Sequence, residues 1–265
     1  MLTTYLTVAL VAYLLGSIPF GYILVKLFLK QDIRTTGSGN IGATNVARSG
    51  KRGLAIATLL LDAGKGALAV AIAMPLAEAI LPEAHRGYFG CQFRAFSGPK
   101  SGTQEGAAEA AIVLCIAPLF AILGHVFPAW LRFRGGKGVA TAVGAFLYLG
   151  PKAALLAFGV FIAAFAISRY VSVSSIVASG AFPFLWWRFS ARDVFGPFYW
   201  TRDGLWPILV TSQAIYVCST LLAVCSLVVI SKHHTNIRRL LNGTEPKFGV
   251  KKSVPPDPIQ VEKNA

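Results

Sequence analysis

Long apolar runs separated by short polar segments dominate this chain. Roughly 20 helical residues cross the hydrocarbon core of a bilayer, so runs of that length are candidates for membrane-spanning helices. Seven such runs lie at about residues 5–29, 53–81, 109–131, 139–150, 152–168, 173–188 and 206–230. The fourth run is short and rich in glycine, which leaves six spans as the alternative count. The pattern predicts an all-α integral membrane protein with seven transmembrane helices.

The composition supports that class. Of the 265 residues, 55% are hydrophobic and only 14% are charged, and the mean hydropathy is +0.60. These values exclude an ordinary soluble protein. We expect one polytopic membrane domain over residues 1–250. Within it, the polar segment 82–108 predicts an extended external loop, and the proline-rich segment 251–265 predicts a disordered cytoplasmic tail.

Basic residues give the predicted orientation. With the N-terminus outside, the predicted cytoplasmic loops and tail hold 16 Lys and Arg residues, and the opposite loops hold seven. This asymmetry favours an outside N-terminus and a cytoplasmic C-terminus. The net charge of +14 does not indicate nucleic-acid binding, because the basic residues flank apolar runs. Anionic lipid headgroups and anionic substrates are the expected partners instead.

The polar segment after the first run combines glycines, hydroxyls, amides and an arginine. Glycine lets backbone N–H groups converge on an oxyanion, and the other side chains add hydrogen bonds. The candidate phosphate-binding residues are Gly37, Ser38, Gly39, Asn40, Thr44, Asn45 and Arg48. The segment also matches the GxGxxG dinucleotide pattern, but it follows a predicted membrane helix rather than a strand. A tight turn without a ligand is the other interpretation.

A second glycine-rich segment lies between the third and fourth runs. Its candidate residues are Gly135, Gly136, Lys137 and Gly138. They lead into a predicted helix, where N-terminal amides and an ammonium group favour an anion. The segment is not a Walker A loop, since Leu131 stands where that pattern needs Gly. For the neighbouring Arg132 and Arg134 we favour a topological role, as positive charges at the cytoplasmic face.

A third motif follows the last run. If residues 232–241 form a helix, His233 and Asn236 share one face, with Arg239 three residues further along. That face offers an imidazole, an amide and a guanidinium to one ligand. A basic segment that touches lipid phosphates is the other interpretation. Two adjacent histidines without nearby acidic or cysteine ligands do not predict a metal site.

Polar residues inside the apolar runs are costly, at about 2.5–3.5 kcal/mol for a mid-span charge on insertion scales. Asp62 and Lys65 are one helical turn apart and are predicted to pair with each other. A functional role, orienting the site from behind, is the other interpretation. Ser172, at a predicted helix start, either caps that helix or reaches an anion. In the predicted orientation the three motifs lie on the same, cytoplasmic side. Together they predict a phosphate-handling site there.

On these motifs the chain resembles the acyl-phosphate-dependent glycerol-3-phosphate acyltransferases of bacterial membranes, the PlsY family. The resemblance spans most of the chain in the right order. The matching segments are 15–21, 32–34, 37–48, 61–66, 124–125, 135–141, 169–172 and 233–241. The chain departs from the family pattern in the longer segment 82–108 and in the extended tail.

The resemblance implies a seven-span enzyme of the bacterial cytoplasmic membrane, with its active site at the cytoplasmic face. It implies transfer of an acyl group from acyl-phosphate to the sn-1 hydroxyl of glycerol-3-phosphate. The products are lysophosphatidic acid and inorganic phosphate, in the first acylation step of phospholipid synthesis. No cofactor, metal or obligate protein partner is expected.

By the same resemblance, the expected catalytic residues are Ser38, Lys137, His233 and Asn236, and Ser172 and Arg239 join the two glycine segments in binding substrate. Arg48, Lys137 and Ser38 are expected to hold phosphate groups. His233 and Asn236 are expected to position glycerol-3-phosphate and to support the developing oxyanion. The leaving phosphate itself takes the hydroxyl proton in this scheme, because the chain shows no catalytic triad or paired carboxylates.

A transporter for a phosphorylated metabolite is the alternative function. It predicts polar residues that continue across several spans, whereas the spans are nearly free of charge beyond Asp62 and Lys65. A structural lipid-binding protein leaves the Asn and Ser positions unexplained. The sequence therefore favours an enzyme that works at the membrane interface.

Overall fold

The computed structural model describes residues 2–80, 104–190 and 212–249. Within those ranges every regular element is a helix, which confirms the all-α class. The α-helices are α1 (Leu2–Gly16), α2 (Phe20–Leu29), α3 (Ala43–Arg48), α4 (Arg52–Ile80), α5 (Gln104–Val126), α6 (Val139–Leu149), α7 (Pro151–Ser168), α8 (Val171–Ser190), α9 (Ser212–Ser231) and α10 (His234–Leu241). Short 3₁₀ helices form at Ile33–Thr35 and Ala129–Leu131.

In the described part of the chain, four helical segments are long and apolar enough to cross a membrane. They are Leu2–Leu29, Arg52–Ala73, Ile112–Leu131 and Pro151–Ser168. The count rises to five if α9 and α10, bent by 53° relative to each other, form one span. The predicted run at 139–150 is the short helix α6, of 11 residues. Each predicted run thus contains helix within the described residues, but not every helix meets the length expected of a span.

The first apolar run is not one helix, as its pattern suggested, but two. Helix α1 ends at Gly16 and α2 begins at Phe20, because Pro19 has no N–H to continue the hydrogen-bond ladder. A Cβ on Gly16 would overlap the Ala121 carbonyl, so α1 packs directly on α5 here. The Ile18 carbonyl at this break accepts the Phe20 N–H at 3.1 Å, and Lys65 of α4 donates a second hydrogen bond to it at 2.7 Å.

The expected external loop 82–108 is shorter at its end than predicted, because α5 already begins at Gln104. Residues 81–103, and the predicted tail 251–265, lie outside the described residues.

Two apolar clusters hold the described helices together. The larger one includes residues of α1 and of every helix from α4 through α9. In it, the rings of Phe146 and Phe182 stack at a centroid distance of 3.8 Å. The smaller one packs Ile33, Ile41 and Val46 against the ends of neighbouring helices. This second cluster buries the apolar side of the segment 33–48, so its polar residues are fixed in place relative to the helices.

Candidate active site

The first glycine segment forms a compact loop around one side chain. Gly37 and Gly39 have φ angles of +58° and +71°, a region that glycine enters without strain. The Asn45 carboxamide is 2% exposed and links the loop internally. Its Oδ1 accepts the Ser38 N–H at 2.8 Å, and its Nδ2 contacts the backbone carbonyls of Ile33, Thr36 and Asn40. In this structure Asn45 shapes the loop, rather than presenting its amide to a substrate as expected.

Other polar groups of the loop remain available. Ser38, Thr44 and Arg48 are exposed, and the Ser38 and Thr44 hydroxyls have no hydrogen-bond partner among the described residues. Asn40 is intermediate: its Oδ1 accepts the Gly42 N–H at 2.8 Å, in a short turn before α3. The loop therefore offers two hydroxyls and one guanidinium to a ligand.

The second glycine segment is pressed against the end of α5. A Cβ on Gly135 or Gly136 would overlap His125, so neither position can accept a side chain without movement. Gly138 has a φ angle of +82° and directs the chain into α6. Between these glycines, Lys137 Nζ donates a hydrogen bond of 2.6 Å to Asn236 Oδ1 on α10. The second and third motifs therefore meet, as the sequence predicted.

The third motif is built around a carboxylate that the sequence analysis missed. Glu245, after α10, is 8% exposed and accepts hydrogen bonds from three candidate residues. The donors are Asn236 Nδ2 at 2.6 Å, Arg239 Nε at 2.7 Å and Ser172 Oγ at 2.8 Å. The Ser172 hydroxyl thus neither caps its helix nor stands free for an anion.

Only one signal in the sequence pointed to Glu245. It is the single acidic residue between positions 204 and 256, in a strongly basic region. Burial alone would raise the pKa of its carboxyl group. The hydrogen bonds from Asn236, Arg239 and Ser172 outweigh burial and leave the pKa below its usual value. Glu245 is therefore a carboxylate that gathers three motif residues from α8 and α10.

Electrostatic interactions bring in the first motif as well. Burial lowers the pKa of Lys137 to about 8, against an opposing effect of Glu245, and the charges of Arg239 and Arg48 lower it further. Arg48 thus lies close enough to Lys137 for their charges to interact. Three cations face one carboxylate in this part of the described structure.

His233 lies buried beside this cluster, with 2% of its surface exposed. Its Nδ1 lies 2.8 Å from the Val229 carbonyl oxygen. Since a carbonyl can only accept, Nδ1 carries the proton, and Nε2 of the neutral ring is an acceptor. Burial, with the charge of Lys137, lowers the pKa of His233 to about 4, so the ring is neutral at pH 7.

A cavity of about 390 Å³ lies between the two glycine segments. Its lining residues are Asp32, Arg34, Thr35, Gly39, Arg134 and Gly135. Asp32 and Arg34 form a salt bridge of 2.6 Å, and the Arg34 hydrogen bonds hold the pKa of Asp32 at about 2. Arg134, which the sequence analysis treated as a topological charge, lines this cavity.

Comparison with known proteins identifies the family. Residues 6–243 match a family model described as glycerol-3-phosphate acyltransferase. The chain belongs to this family. It is accordingly an integral membrane acyltransferase of phospholipid biosynthesis, which confirms the family expected from the motifs.

Relatives of this acyltransferase cover nearly its whole length. The glycerol-3-phosphate acyltransferase of Rhodopseudomonas palustris strain BisB5 is 40% identical over 95% of this chain and 100% of its own. That of Syntrophotalea carbinolica is 39% identical over 93% and 99%. The crystal structure of PlsY in its glycerol 3-phosphate form, described as an integral membrane glycerol 3-phosphate acyltransferase, is 31% identical. It has a TM-score of 0.64 and covers 92% of this chain and 96% of that one.

Proposed function

We propose that this acyltransferase moves an acyl group from acyl-phosphate to the sn-1 hydroxyl of glycerol-3-phosphate, giving lysophosphatidic acid and inorganic phosphate. Both substrates carry a phosphate, and an acyl-phosphate is already activated for transfer. The protein must then bind two anions and align one hydroxyl, without supplying a nucleophile of its own.

The observation that carries the proposal is the position of Lys137. Its ammonium group donates to Asn236 and interacts with the charges of Arg48 and Arg239. Among the described residues, Glu245 is the carboxylate whose charge opposes these cations at Lys137. This surplus of two positive charges, which the two substrate phosphates would share, favours the binding of anions in a part-buried region.

The first loop and the cavity provide a place for a second phosphate. Ser38 and Arg48 can donate to it from the loop, since neither the Ser38 hydroxyl nor the Arg48 guanidinium has a hydrogen-bond partner among the described residues. Arg34 and Arg134 add positive charge on the cavity side. We assign Ser38 and Arg48 to one substrate phosphate and Lys137 to the other.

His233 is assigned to the acceptor hydroxyl. Its Nε2 has no proton in the neutral ring, so it can accept a hydrogen bond from the sn-1 hydroxyl but cannot donate to an oxyanion. Stabilisation of the oxyanion then falls to Lys137 and to the second N–H of the Asn236 amide. This division changes the expectation that His233 supports the oxyanion.

The transfer step needs no further group. The hydroxyl oxygen attacks the acyl carbonyl carbon, and the bond from that carbon to the phosphate oxygen breaks. The electron pair of that bond leaves with the phosphate. The single hydroxyl proton, which His233 Nε2 holds before the attack, is passed on by Nε2 to the leaving phosphate. This balance is consistent with a site in which the nearest carboxylate, Glu245, is fully engaged in hydrogen bonds.

The proposal includes seven spans, an outside N-terminus and an active site at the cytoplasmic face of the bacterial inner membrane. Helices α6, α8 and α9 complete the seven. The distribution of basic residues supports this orientation. The variants Ser49→Cys and Gly243→Cys, each as the single cysteine of the chain, test it with a membrane-impermeant thiol reagent in intact and permeabilised cells. Labelling of either position in intact cells would contradict it.

The purified protein, in detergent or lipid mesophase, tests the chemistry. With glycerol-3-phosphate and acyl-phosphate we expect one phosphate released per lysophosphatidic acid, acylated at sn-1. Acyl-CoA and acyl carrier protein thioesters should give no product. Equal turnover with a thioester would refute the proposed donor, and uptake of glycerol-3-phosphate into liposomes without turnover would favour a transporter.

A further inference from the structure

Three ionisable side chains lie buried behind the second glycine segment, residues 135–138. Asp62 and Lys65 belong to α4 and His125 to α5, and none is more than 4% exposed. Lys65 Nζ lies 2.8 Å from Asp62 Oδ1, which confirms the predicted pair. The Ile18 carbonyl accepts a second hydrogen bond from Lys65. The pair carries no net charge, so His125 is not needed to neutralise it.

His125 connects this pair to the glycine segment. Its Nδ1 lies 3.5 Å from Asp62 Oδ1. A Cβ on Gly136 would overlap the opposite ring nitrogen, Nε2, and a Cβ on Gly135 would overlap the His125 carbonyl oxygen. The same carbonyl accepts the Gly136 N–H at 3.0 Å. The backbone at 135–136 therefore lies directly on His125.

We propose that His125 is a positioning residue for acyl transfer: its ring, which lies between Asp62 and the second glycine segment, sets the backbone of Gly136 and thereby the ammonium group of Lys137. The inference rests on the proposed function, in which Lys137 holds a substrate phosphate. Lys137 directly follows Gly136. A displacement of about 1 Å at a site of this kind can reduce the rate about 100-fold.

The ring is the part of His125 that matters. Any residue at position 125 could offer its carbonyl to Gly136, but only a side chain of this shape spans from Asp62 to the Gly136 backbone. A substitution of the side chain therefore removes the ring contact with Gly136 and keeps the hydrogen bond from the Gly136 N–H to the backbone carbonyl of residue 125. Asn at this position keeps a nitrogen near Nδ1, facing Asp62, but loses the far edge of the ring.

A double-mutant cycle tests whether His125 acts through Lys137. We expect His125→Ala to reduce kcat/KM for glycerol-3-phosphate at least tenfold in the wild-type background. In the Lys137→Ala background the same change should cost less than twofold, because residues that act as a unit are not additive. Equal losses in both backgrounds would overturn the proposal and leave His125 a general structural residue.

A suppressor experiment tests the ring contact without changing Lys137. Gly136→Ala should reduce activity at least tenfold, because its methyl group meets the ring. Adding His125→Ala should restore activity at least threefold over Gly136→Ala, measured per milligram of monodisperse protein. No gain in the double variant would mean that Gly136 does not rest on the ring, and would overturn the proposal.

Two further variants complete the design. His125→Asn should retain more activity than His125→Ala but less than the wild type. Ser226→Ala, which removes a buried hydroxyl of α9 without a hydrogen-bond partner among the described residues, should stay within twofold of the wild type. Normal turnover in Lys137→Ala would refute the proposed role of Lys137 instead, whereas additive losses would refute only the role of His125.

Discussion

The first glycine loop and the cluster around Glu245 contain similar polar groups but organise them differently. In the loop, the amide of Asn45 is used internally, and Ser38 points its hydroxyl at no described residue. In the cluster, a continuous hydrogen-bond chain runs from Lys137 through Asn236 to Glu245. One half of the site is therefore assembled before substrate arrives, whereas the other half keeps its donors unpaired until an anion binds.

The comparison predicts the largest effect for a variant that dismantles the assembled half. Glu245→Ala leaves the buried Asn236 and the partly buried Arg239 without their acceptor, so we expect a loss of about 3 kcal/mol in unfolding free energy. Thermal unfolding in detergent measures it. Asp32→Ala, which breaks an exposed salt bridge, is the control and should cost less than about 1 kcal/mol. An unchanged melting temperature in Glu245→Ala would contradict the assembled cluster.

The next effect concerns catalysis rather than folding. Lys137→Ala should reduce kcat/KM about 100-fold, the usual cost of removing one electrostatic contact to developing charge. Arg132→Ala, an exposed basic residue five positions earlier, should stay within twofold. Initial rates of phosphate release measure both, with monodispersity as the check on folding. Near-normal turnover in Lys137→Ala would remove Lys137 from the site.

The two adjacent histidines provide a matched pair. His233 is buried next to Lys137, whereas His234 is exposed and its Nδ1 lies 3.0 Å from the Ser231 carbonyl oxygen at the end of α9. We expect His233→Ala to lose at least tenfold in kcat, because the acceptor hydroxyl is no longer oriented. His234→Ala should lose less than twofold. Equal losses in the two variants would show that the substitutions disturb α10 and not the hydroxyl.

Substitutions in the first glycine loop, the half of the site with unpaired donors, should weaken substrate binding rather than stability. Ser38→Ala removes one hydrogen bond to a charged phosphate, which corresponds to about 1.5–3 kcal/mol, or roughly a tenfold or larger rise in KM. Its unfolding temperature should not change, because the hydroxyl has no partner in the loop. Steady-state kinetics and thermal unfolding check the two statements. A fall in stability at unchanged KM would contradict an open donor.

The smallest effect is a pH dependence. The Lys137 ammonium, with a pKa of about 8, is charged below that pH and loses its proton above it. We therefore expect kcat/KM to halve near pH 8 and to keep falling as pH rises. Lys137→Arg should lower activity but remove this alkaline limb, since guanidinium stays charged. An identical limb in the variant would assign the titration to another group.

Local sequence patterns predicted the helices and the meeting of the second and third motifs. The spacing of Asp62 and Lys65 was enough to predict their ion pair, because both lie on one helix. Glycine and hydroxyl content was enough to locate the first loop. Each of these signals is contained in a few neighbouring residues.

Partners far apart in the chain could not be predicted in the same way. Ser172 and Glu245 are 73 positions apart, so only the fold shows that they share a hydrogen bond. Likewise, His125 acquires its significance from Gly136 and Asp62, which lie on other segments. Asn45 was expected to face substrate, because nothing in the neighbouring sequence indicates that its amide hydrogen-bonds to the backbone around it.

A crystal structure of the protein with glycerol-3-phosphate and a non-hydrolysable acyl-phosphonate tests the central claim most directly. We expect an oxygen of one phosphate or phosphonate group within hydrogen-bond distance of Lys137 Nζ, about 3 Å. An oxygen of the other group should lie at the same distance from the Ser38 hydroxyl. Both anions would then lie between the two glycine segments and α10. If both phosphorus groups bind elsewhere while Lys137 remains bonded only to Asn236, the account is wrong.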